Sequence, residues 1–169
     1  MQRIILVAAM AMVALVGSAV TIRADVQEGA DPLAGTTVEA LGGGPSTLAA
    51  DYNLVMLRIT MEPGANIPAH SHPGEVVLFV ESGTFGTAFV EGTGVITRAT
   101  PPGTPAATEP VTAGPENILE AGNSLAYSEA AAHTMVNAGE DTLVLLVSAI
   151  LAPDQPGFMF MDMSATPTP

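Results

Sequence analysis

The chain has 169 residues, of which 48% are apolar, with 17 glycines, 14 prolines and no cysteine. This length suits one domain with a buried core, and the lack of cysteine excludes disulfide bonds and thiolate metal ligands. With 17 acidic residues against 4 basic ones, the formal net charge is −13. Such a charge repels phosphate backbones and anionic lipid surfaces, which argues against nucleic acid as a partner.

The first 24 residues predict an export signal. A basic start at residues 1–3 precedes an uncharged apolar run at residues 4–20, and small residues at Ala19 and Ala24 offer cleavage sites. An uncleaved anchor is the alternative, since the run is only slightly short for a membrane span, and membrane association is expected only in that case. Removal of residues 1–24 leaves two arginines and 17 acids, a charge of 2 − 17 = −15. We expect an exported protein, in the cell envelope or outside the cell.

The remaining chain divides into three predicted regions. Residues 25–35 are polar and acidic without a periodic pattern, which predicts a flexible N-terminal arm. Residues 36–163 are expected to form the folded domain, and residues 164–169 a disordered tail. Within the domain, short runs of β-branched and large apolar residues alternate with turn residues. The predicted strands are residues 36–41, 52–61, 76–82, 84–90, 94–98, 117–120, 124–127, 133–137 and 142–151.

These short strands predict an all-β domain, either an antiparallel sandwich or a barrel. Residues 100–115 contain five prolines and interrupt the series. Since proline cannot donate a hydrogen bond to a neighbouring strand, this stretch cannot be a central strand. We expect it to be a long surface loop or an extended hairpin tip.

Two of the three histidines, His70 and His72, lie two residues apart. On a strand, side chains two apart share one face, with about 6.5–7 Å between their Cα atoms, so both rings can point at one centre. The third histidine, His133, begins another predicted strand. Neutral imidazoles suit Fe, Zn, Cu and Ni, so the three residues form a candidate site for a divalent metal. The alternative is that they bind no metal and line a cavity.

The spacing around these histidines resembles the two motifs of the cupin superfamily. The first motif has a glycine, five residues, His-x-His and a closing glycine, and the second has a glycine, a histidine and an asparagine. The matching residues are Gly64, His70, His72, Gly83, Gly122, His133 and Asn137. Ser128 and Ala130 stand where the second motif has proline and glycine. The resemblance covers residues 52–150 and implies a jelly-roll barrel (a double-stranded β-helix) whose metal is held by three histidines and a glutamate.

The glutamate ligand of the cupin motif is missing from this sequence. With six residues between the ligand and Gly83, the ligand position falls at Val76, and the neighbouring acid is Glu75. Because side chains alternate along a strand, Glu75 faces outward when Val76 faces inward. Only a β-bulge would bring Glu75 to the metal as a fourth ligand. Three histidines without a carboxylate favour Fe, Zn, Cu or Ni over Mn.

The same alternation predicts a ligand pocket and an exposed apolar face. An apolar pocket beside the metal would be lined by Val76, Leu78, Val80 and Met135. Val77 and Phe79 would face outward, where the N-terminal arm, the methionine-rich residues 158–163 or a second subunit would have to cover them. We expect a homodimer.

Two functions fit the sequence. The first is an exported protein that binds a divalent metal, a small neutral ligand or both through the three histidines. The second is a three-histidine metal-dependent oxygenase or lyase acting on a small molecule, with Fe(II) the expected metal for dioxygenase chemistry. The motifs show no second group for general acid–base catalysis, so no catalytic residue is assigned and binding is the preferred function.

Overall fold

The structure, a computed structural model, describes residues 31–104 and 106–161, and no helix occurs within them. Its strands are β1 (Thr36–Pro45), β2 (Asn53–Met61), β3 (Asn66–Ser71), β4 (Gly74–Ser82), β5 (Thr84–Thr87), β6 (Phe89–Glu91), β7 (Thr93–Arg98), β8 (Ala107–Thr112), β9 (Asn117–Glu120), β10 (Ser124–Tyr127), β11 (Ala132–Asn137), β12 (Leu143–Leu151) and β13 (Met159–Phe160). The predicted signal peptide and residues 25–30 and 162–169 lie outside the described residues. In the described ranges, no helix has the length and apolar character needed to cross a membrane.

The strands form two antiparallel sheets. The first sheet has seven strands in the order β1-β2-β12-β4-β10-β7-β8, and the second has six, in the order β13-β3-β11-β5-β9 with β6 paired to β11. Eight of these strands form the centre of the two sheets, and they can be counted from one to eight in chain order: β2, β3, β4, β5, β9, β10, β11 and β12. In this count, the strand order is 1-8-3-6 in one sheet and 2-7-4-5 in the other. This is the jelly-roll arrangement, in which consecutive strands are shared between two facing sheets. The predicted all-β class is confirmed.

The core lies between the inner faces of the two sheets. On β4, Val76, Leu78 and Val80 are 3%, 1% and 0% exposed, whereas the alternating Val77 and Phe79 are 50% and 41% exposed. The six-stranded sheet adds Ile67, Phe85, Leu119 and Met135 to the same buried cluster. Burial of one face fixes the register of β4, because a slip of one residue would expose every core side chain of the strand.

Strand β1 is longer than predicted. The sequence predicts a strand at residues 36–41 that stops at Gly42, whereas β1 continues through three glycines to Pro45. A β-bulge between Ala40 and Gly42 shifts the register and lets the ladder with β2 continue. Glycine weakens a strand without forbidding one, so the predicted end was too early.

The proline-rich stretch contains a strand that the sequence does not predict. Residues Ala107–Thr112 form β8, which pairs with β7 at one end of the seven-stranded sheet. An edge strand accepts Pro110 because a proline on its outer side interrupts no ladder. The segment predicted as one strand at residues 84–90 is also divided, into β5 and β6, at Ala88.

Three residues of the cupin-like motifs have structural roles. Gly83 and Gly122 have φ angles of 83° and 88°, a region that favours glycine, and each lies in a turn between strands. Asn137 is 2% exposed, and its side-chain amide donates to the carbonyl oxygens of Met61 at 3.1 Å and Asp141 at 2.8 Å. Asn137 therefore ties the end of β11 to β2 and to the following turn.

Candidate metal centre

The three histidines come together where β3 and β11 lie side by side. His70 on β3 is directly opposite His133 on β11, and His72 follows the last residue of β3. One ring nitrogen of each histidine lies within 4.8 Å of the other two. His70, His72 and His133 are 0%, 9% and 0% exposed. Residues far apart in the sequence thus form one buried cluster.

Two of the rings are fixed by backbone carbonyl groups. Nδ1 of His70 donates to the carbonyl oxygen of Pro68 at 2.8 Å. Nδ1 of His72 donates to the carbonyl oxygen of Gly157 at 2.7 Å. Because a carbonyl oxygen only accepts, these Nδ1 atoms carry the proton, and Nε2 of each neutral ring is left with a free lone pair.

The third ring is fixed by a threonine. Nδ1 of His133 lies 3.2 Å from Oγ1 of Thr87 on β5, and the Thr87 hydroxyl donates to the carbonyl oxygen of Thr134 at 2.8 Å. Since the hydroxyl proton is engaged by Thr134, the Thr87 oxygen accepts from His133 Nδ1. All three rings therefore have the same tautomer, with an unprotonated Nε2.

The three Nε2 atoms are buried, and none has a hydrogen-bond partner among the described residues. A buried polar atom without a partner costs about 1–3 kcal/mol, so three such atoms in one cluster indicate a shared ligand. Metal–nitrogen bonds of about 2.0–2.1 Å place two ligand nitrogens about 3–4 Å apart. A small inward movement of the rings would meet that requirement, so the cluster fits a divalent metal.

Burial keeps these imidazoles neutral. Desolvation lowers the pKa of His70 from 6.5 to about 3, with a smaller contribution from the charge of His72. Desolvation likewise lowers the pKa of His72 to about 4. The pKa of His133 falls well below 6.5, first through burial and then through the charges of His70 and His72. At neutral pH all three rings are therefore in the form that binds a metal.

Aromatic rings enclose the cluster. Phe89 stacks on His133 with ring centroids 5.6 Å apart and an interplanar angle of 29°. The ring of Phe158 lies 5.1 Å from that of His70 and 5.3 Å from that of His72. Phe89 and Phe158 are 2% and 3% exposed. Such an apolar shell limits the access of water and holds the ligand rings in place.

A small cavity adjoins His72. The centres of water molecules could occupy about 30 Å³ of this cavity. That is space for about two waters or a ligand of a few heavy atoms. His72 and Tyr127 contribute the polar groups among the lining residues, and burial raises the pKa of the Tyr127 hydroxyl, which stays protonated. The other lining residues include Leu57, Ile59, Val76, Leu78, Met135, Val147 and Phe158. Three of the four predicted pocket residues line this cavity, whereas Val80 is 0% exposed and lies outside the lining.

Glu75 lies on the opposite face of β4 from the histidines. It is exposed, between the buried residues Gly74 and Val76. In the ladder with β12, Glu75 pairs with Ile150 in unbroken register, and the described register shift comes near the other end of the strand. Regular alternation therefore directs the Glu75 carboxylate outward and the Val76 side chain toward the cavity.

Sequence patterns miss several groups that contact the histidines, and three of them come from distant parts of the chain. Thr87 is 46 residues from His133, and Gly157 is 85 residues from His72. Phe158 follows Gly157 in the segment after β12. The alternation on β5 predicts that Thr87 faces inward, and the aromatic content of residues 158–161 predicts packing. Neither pattern identifies a histidine as the partner.

No protein-family model matches this sequence, and no curated protein matches it. Solved structures with a similar fold include KdgF from Halomonas sp., with a TM-score of 0.48 and 16% identity over 75% of this chain and 86% of that one. Another is the formate complex of oxalate decarboxylase from Lactobacillus farciminis, with a TM-score of 0.45, 15% identity, and coverage of 75% and 31%. A third is recombinant oxalate oxidase in complex with glycolate, with a TM-score of 0.39 and 22% identity over 75% of this chain and 55% of that one. The chain thus spans less than two thirds of the length of the last two proteins.

The metal-free protein should lose stability as the pH falls below 6.5. The unfolded chain binds protons on its histidines at a pKa of about 6.5, whereas the folded protein keeps His72 neutral to about 4 and His70 to about 3. Because the unfolded state then binds more protons, the free energy of unfolding falls by about 1.4 kcal/mol per pH unit for each such histidine. Above about pH 7 these groups should have no effect. Urea unfolding in the presence of a chelator, from pH 7.5 down to pH 5, measures the change.

The matched control is His72→Gln, which removes one of the three titrating rings. The slope of its free energy of unfolding against pH should be smaller than that of the wild type by the contribution of one histidine. Equal free energies of unfolding for the wild type at pH 7.5 and pH 5 would contradict the burial of three neutral imidazoles.

Proposed function

We propose that this protein is an exported cupin that binds a divalent metal ion through His70, His72 and His133 and holds a small neutral molecule in the adjoining cavity. The observation that carries the proposal is the set of three buried Nε2 atoms, which have no hydrogen-bond partner among the described residues. The histidine motifs and the jelly-roll strand order support the same conclusion. A purely structural role for the rings would leave three acceptors unsatisfied.

The donor set favours Fe(II), Zn, Cu or Ni. All three protein ligands are neutral imidazoles, and Mn prefers carboxylate and other hard oxygen ligands. The buried Val76 and the exposed Glu75 support a site in which valine stands at the position of the family's glutamate. A metal held there by His70, His72 and His133 would supply a Lewis-acidic centre, and three protein ligands would leave room in its coordination for water or a ligand.

The cavity suits a small uncharged ligand. Its walls are apolar, and no described lining residue carries a charge at neutral pH. Tyr127 also lines the cavity, its ring lies 4.6 Å from that of His133, and burial keeps its hydroxyl protonated. Among the described lining residues no side chain is cationic, so the protein's own groups do not offset the desolvation of an anion there. Among the described lining residues, only Tyr127 and the proposed ligand His72 can exchange protons, which favours binding over turnover.

We expect the wild-type protein, stripped with a chelator and then offered Zn²⁺, to bind one ion per chain. His72→Ala should weaken binding by at least about 100-fold, because losing a ligand costs more than losing an outer contact of a ligand. Glu75→Gln should bind as the wild type does, because its side chain lies on the exposed face. Elemental analysis after gel filtration and competition with a chromophoric chelator give the stoichiometry and the affinity.

Two outcomes separate the alternatives. A wild type that binds no Zn²⁺, Fe(II), Cu²⁺ or Ni²⁺ would show that the histidines form a metal-free cavity wall. A Glu75→Gln variant with an affinity as low as that of His72→Ala would show that the carboxylate is a fourth ligand, against the outward direction of its strand position.

Export is proposed from residues 1–24, whose basic start and uncharged apolar run have the signal-peptide pattern. Mass spectrometry of the protein from the envelope or medium of the expressing cell should find an N-terminus at Val20 or Asp25. A membrane-bound protein that retains Met1 would support the uncleaved anchor instead.

A homodimer is proposed from an apolar row on the outer face of the seven-stranded sheet. Ser148 of β12 pairs with both Met56 and Val77, and Ala126 of β10 pairs with both Val77 and Val95, so these residues follow one another across five strands. Met56, Val77 and Val95 are 45%, 50% and 43% exposed. A second copy related by a two-fold axis would cover the row with itself.

The wild-type chain should sediment as a dimer at micromolar concentration, and Val77→Lys, at the centre of the row, should sediment as a monomer. A buried, unpaired lysine opposite its own copy would oppose association. Leu48→Lys is the matched control, because Leu48 is 99% exposed and precedes β2, outside the row. A monomeric wild type would show that the row forms no dimer interface. A dimeric Val77→Lys variant would show that the interface lies elsewhere on the chain.

A further inference from the structure

The segment after β12 returns to the histidine cluster and binds its backbone. We refer to residues 152–161 as the C-terminal segment. The N–H of Ala152 donates to the carbonyl oxygen of Pro73 at 2.9 Å, and the N–H of Met161 donates to that of Ala69 at 2.9 Å. Between these bonds, β13 pairs with β3, with Phe160 opposite His70. Residues 69–73, which include the proposed ligands His70 and His72, are therefore held at both ends by the C-terminal segment.

The C-terminal segment also fixes the direction of His72. His70 takes its Nδ1 partner from Pro68, two residues away, and lies within β3. His72 lies beyond the end of β3, and its Nδ1 partner is the carbonyl oxygen of Gly157, 85 residues later and 2.7 Å away. The tautomer and ring direction of His72 thus depend on where the C-terminal segment lies.

Two phenylalanines of the C-terminal segment cover the rings. Phe158 is 3% exposed and packs against both His70 and His72, with ring centroids 5.1 and 5.3 Å away. Phe160 lies 5.9 Å from the His70 ring and stacks on Phe158 at 6.1 Å with an interplanar angle of 10°. Phe158 also lines the cavity. The intervening Met159 points to the opposite side, as adjacent residues on a strand do.

We propose that the C-terminal segment is part of the metal site, so that metal binding and the docking of this segment stabilise each other. Gly157 acts as a positioning residue, because its carbonyl group holds His72 with Nε2 directed at the cluster. This inference rests on the proposed metal binding. Thermodynamic linkage makes the effect reciprocal: if docking of the segment raises metal affinity, bound metal must hold the segment in place by the same factor.

The reciprocal effect can be measured on the unmodified full chain by hydrogen–deuterium exchange with and without Zn²⁺. Amide groups of residues 157–161, including the Met161 N–H bonded to Ala69, should exchange about 10- to 100-fold more slowly with Zn²⁺, the size usual for an outer contact of a metal ligand. Strand β8, at the far end of the other sheet, is the internal control and should be unchanged.

The forward effect is tested with Phe158→Ala and its matched control Met159→Ala in the full chain. Phe158→Ala should lower Zn²⁺ affinity about 10- to 100-fold, and Met159→Ala should stay within about twofold of the wild type, because its side chain faces away from the rings. The urea midpoint of each metal-free variant shows whether the domain is folded. Should Phe158→Ala not fold, the exchange measurement on the wild type decides alone.

The outcomes distinguish this inference from the proposed function. If the wild type binds Zn²⁺ but exchange at residues 157–161 is unchanged, or if folded Phe158→Ala binds like the wild type, the coupling is wrong and the three-histidine site stands. If the wild type binds no metal at all, both the proposed function and the coupling are wrong.

Discussion

The constraint on which the site depends is the burial of three neutral imidazoles where β3 and β11 pair. The register sets His70 opposite His133 and brings their ring centroids to 4.7 Å. Protonation of one ring would leave a poorly solvated charge, and protonation of a second ring would add repulsion between the two. The rings therefore remain neutral. Protein oxygens satisfy the Nδ1 atoms, which leaves the Nε2 atoms to a ligand. The burial that lowers the pKa values therefore also prepares the ligand set.

What the sequence predicts well are properties contained within one strand. The predicted strands at residues 117–120 and 124–127 match β9 and β10 residue for residue, because turn residues bound short apolar runs. The period of two separates Val76 from Glu75 without knowledge of any neighbour, since one strand has only two faces. Histidine spacing is also recognisable within each of the two motifs, and together the motifs contain the three residues that the structure brings together.

What the sequence does not predict are properties shared between distant segments. The hydrogen bond from His72 to Gly157 needs the C-terminal segment to return beside β3, and no local pattern specifies that return. The extension of β1 through its glycines depends on a ladder with β2 that outweighs weak local propensity. Likewise β8 accepts a proline only because it lies at an edge, which is a property of the whole sheet.

Val76 changes the electrostatics of the site as well as its number of ligands. It is 3% exposed and lines the cavity together with His72. A glutamate there would put a carboxylate into a nearly dry site, where the metal-free protein would have to protonate it or charge a histidine. Valine and three neutral rings bring no charge into the buried site, so what the site still lacks is a partner for the three Nε2 atoms. A dication bound by neutral ligands alone would keep its charge and would attract the polar end of a molecule in the cavity beside His72.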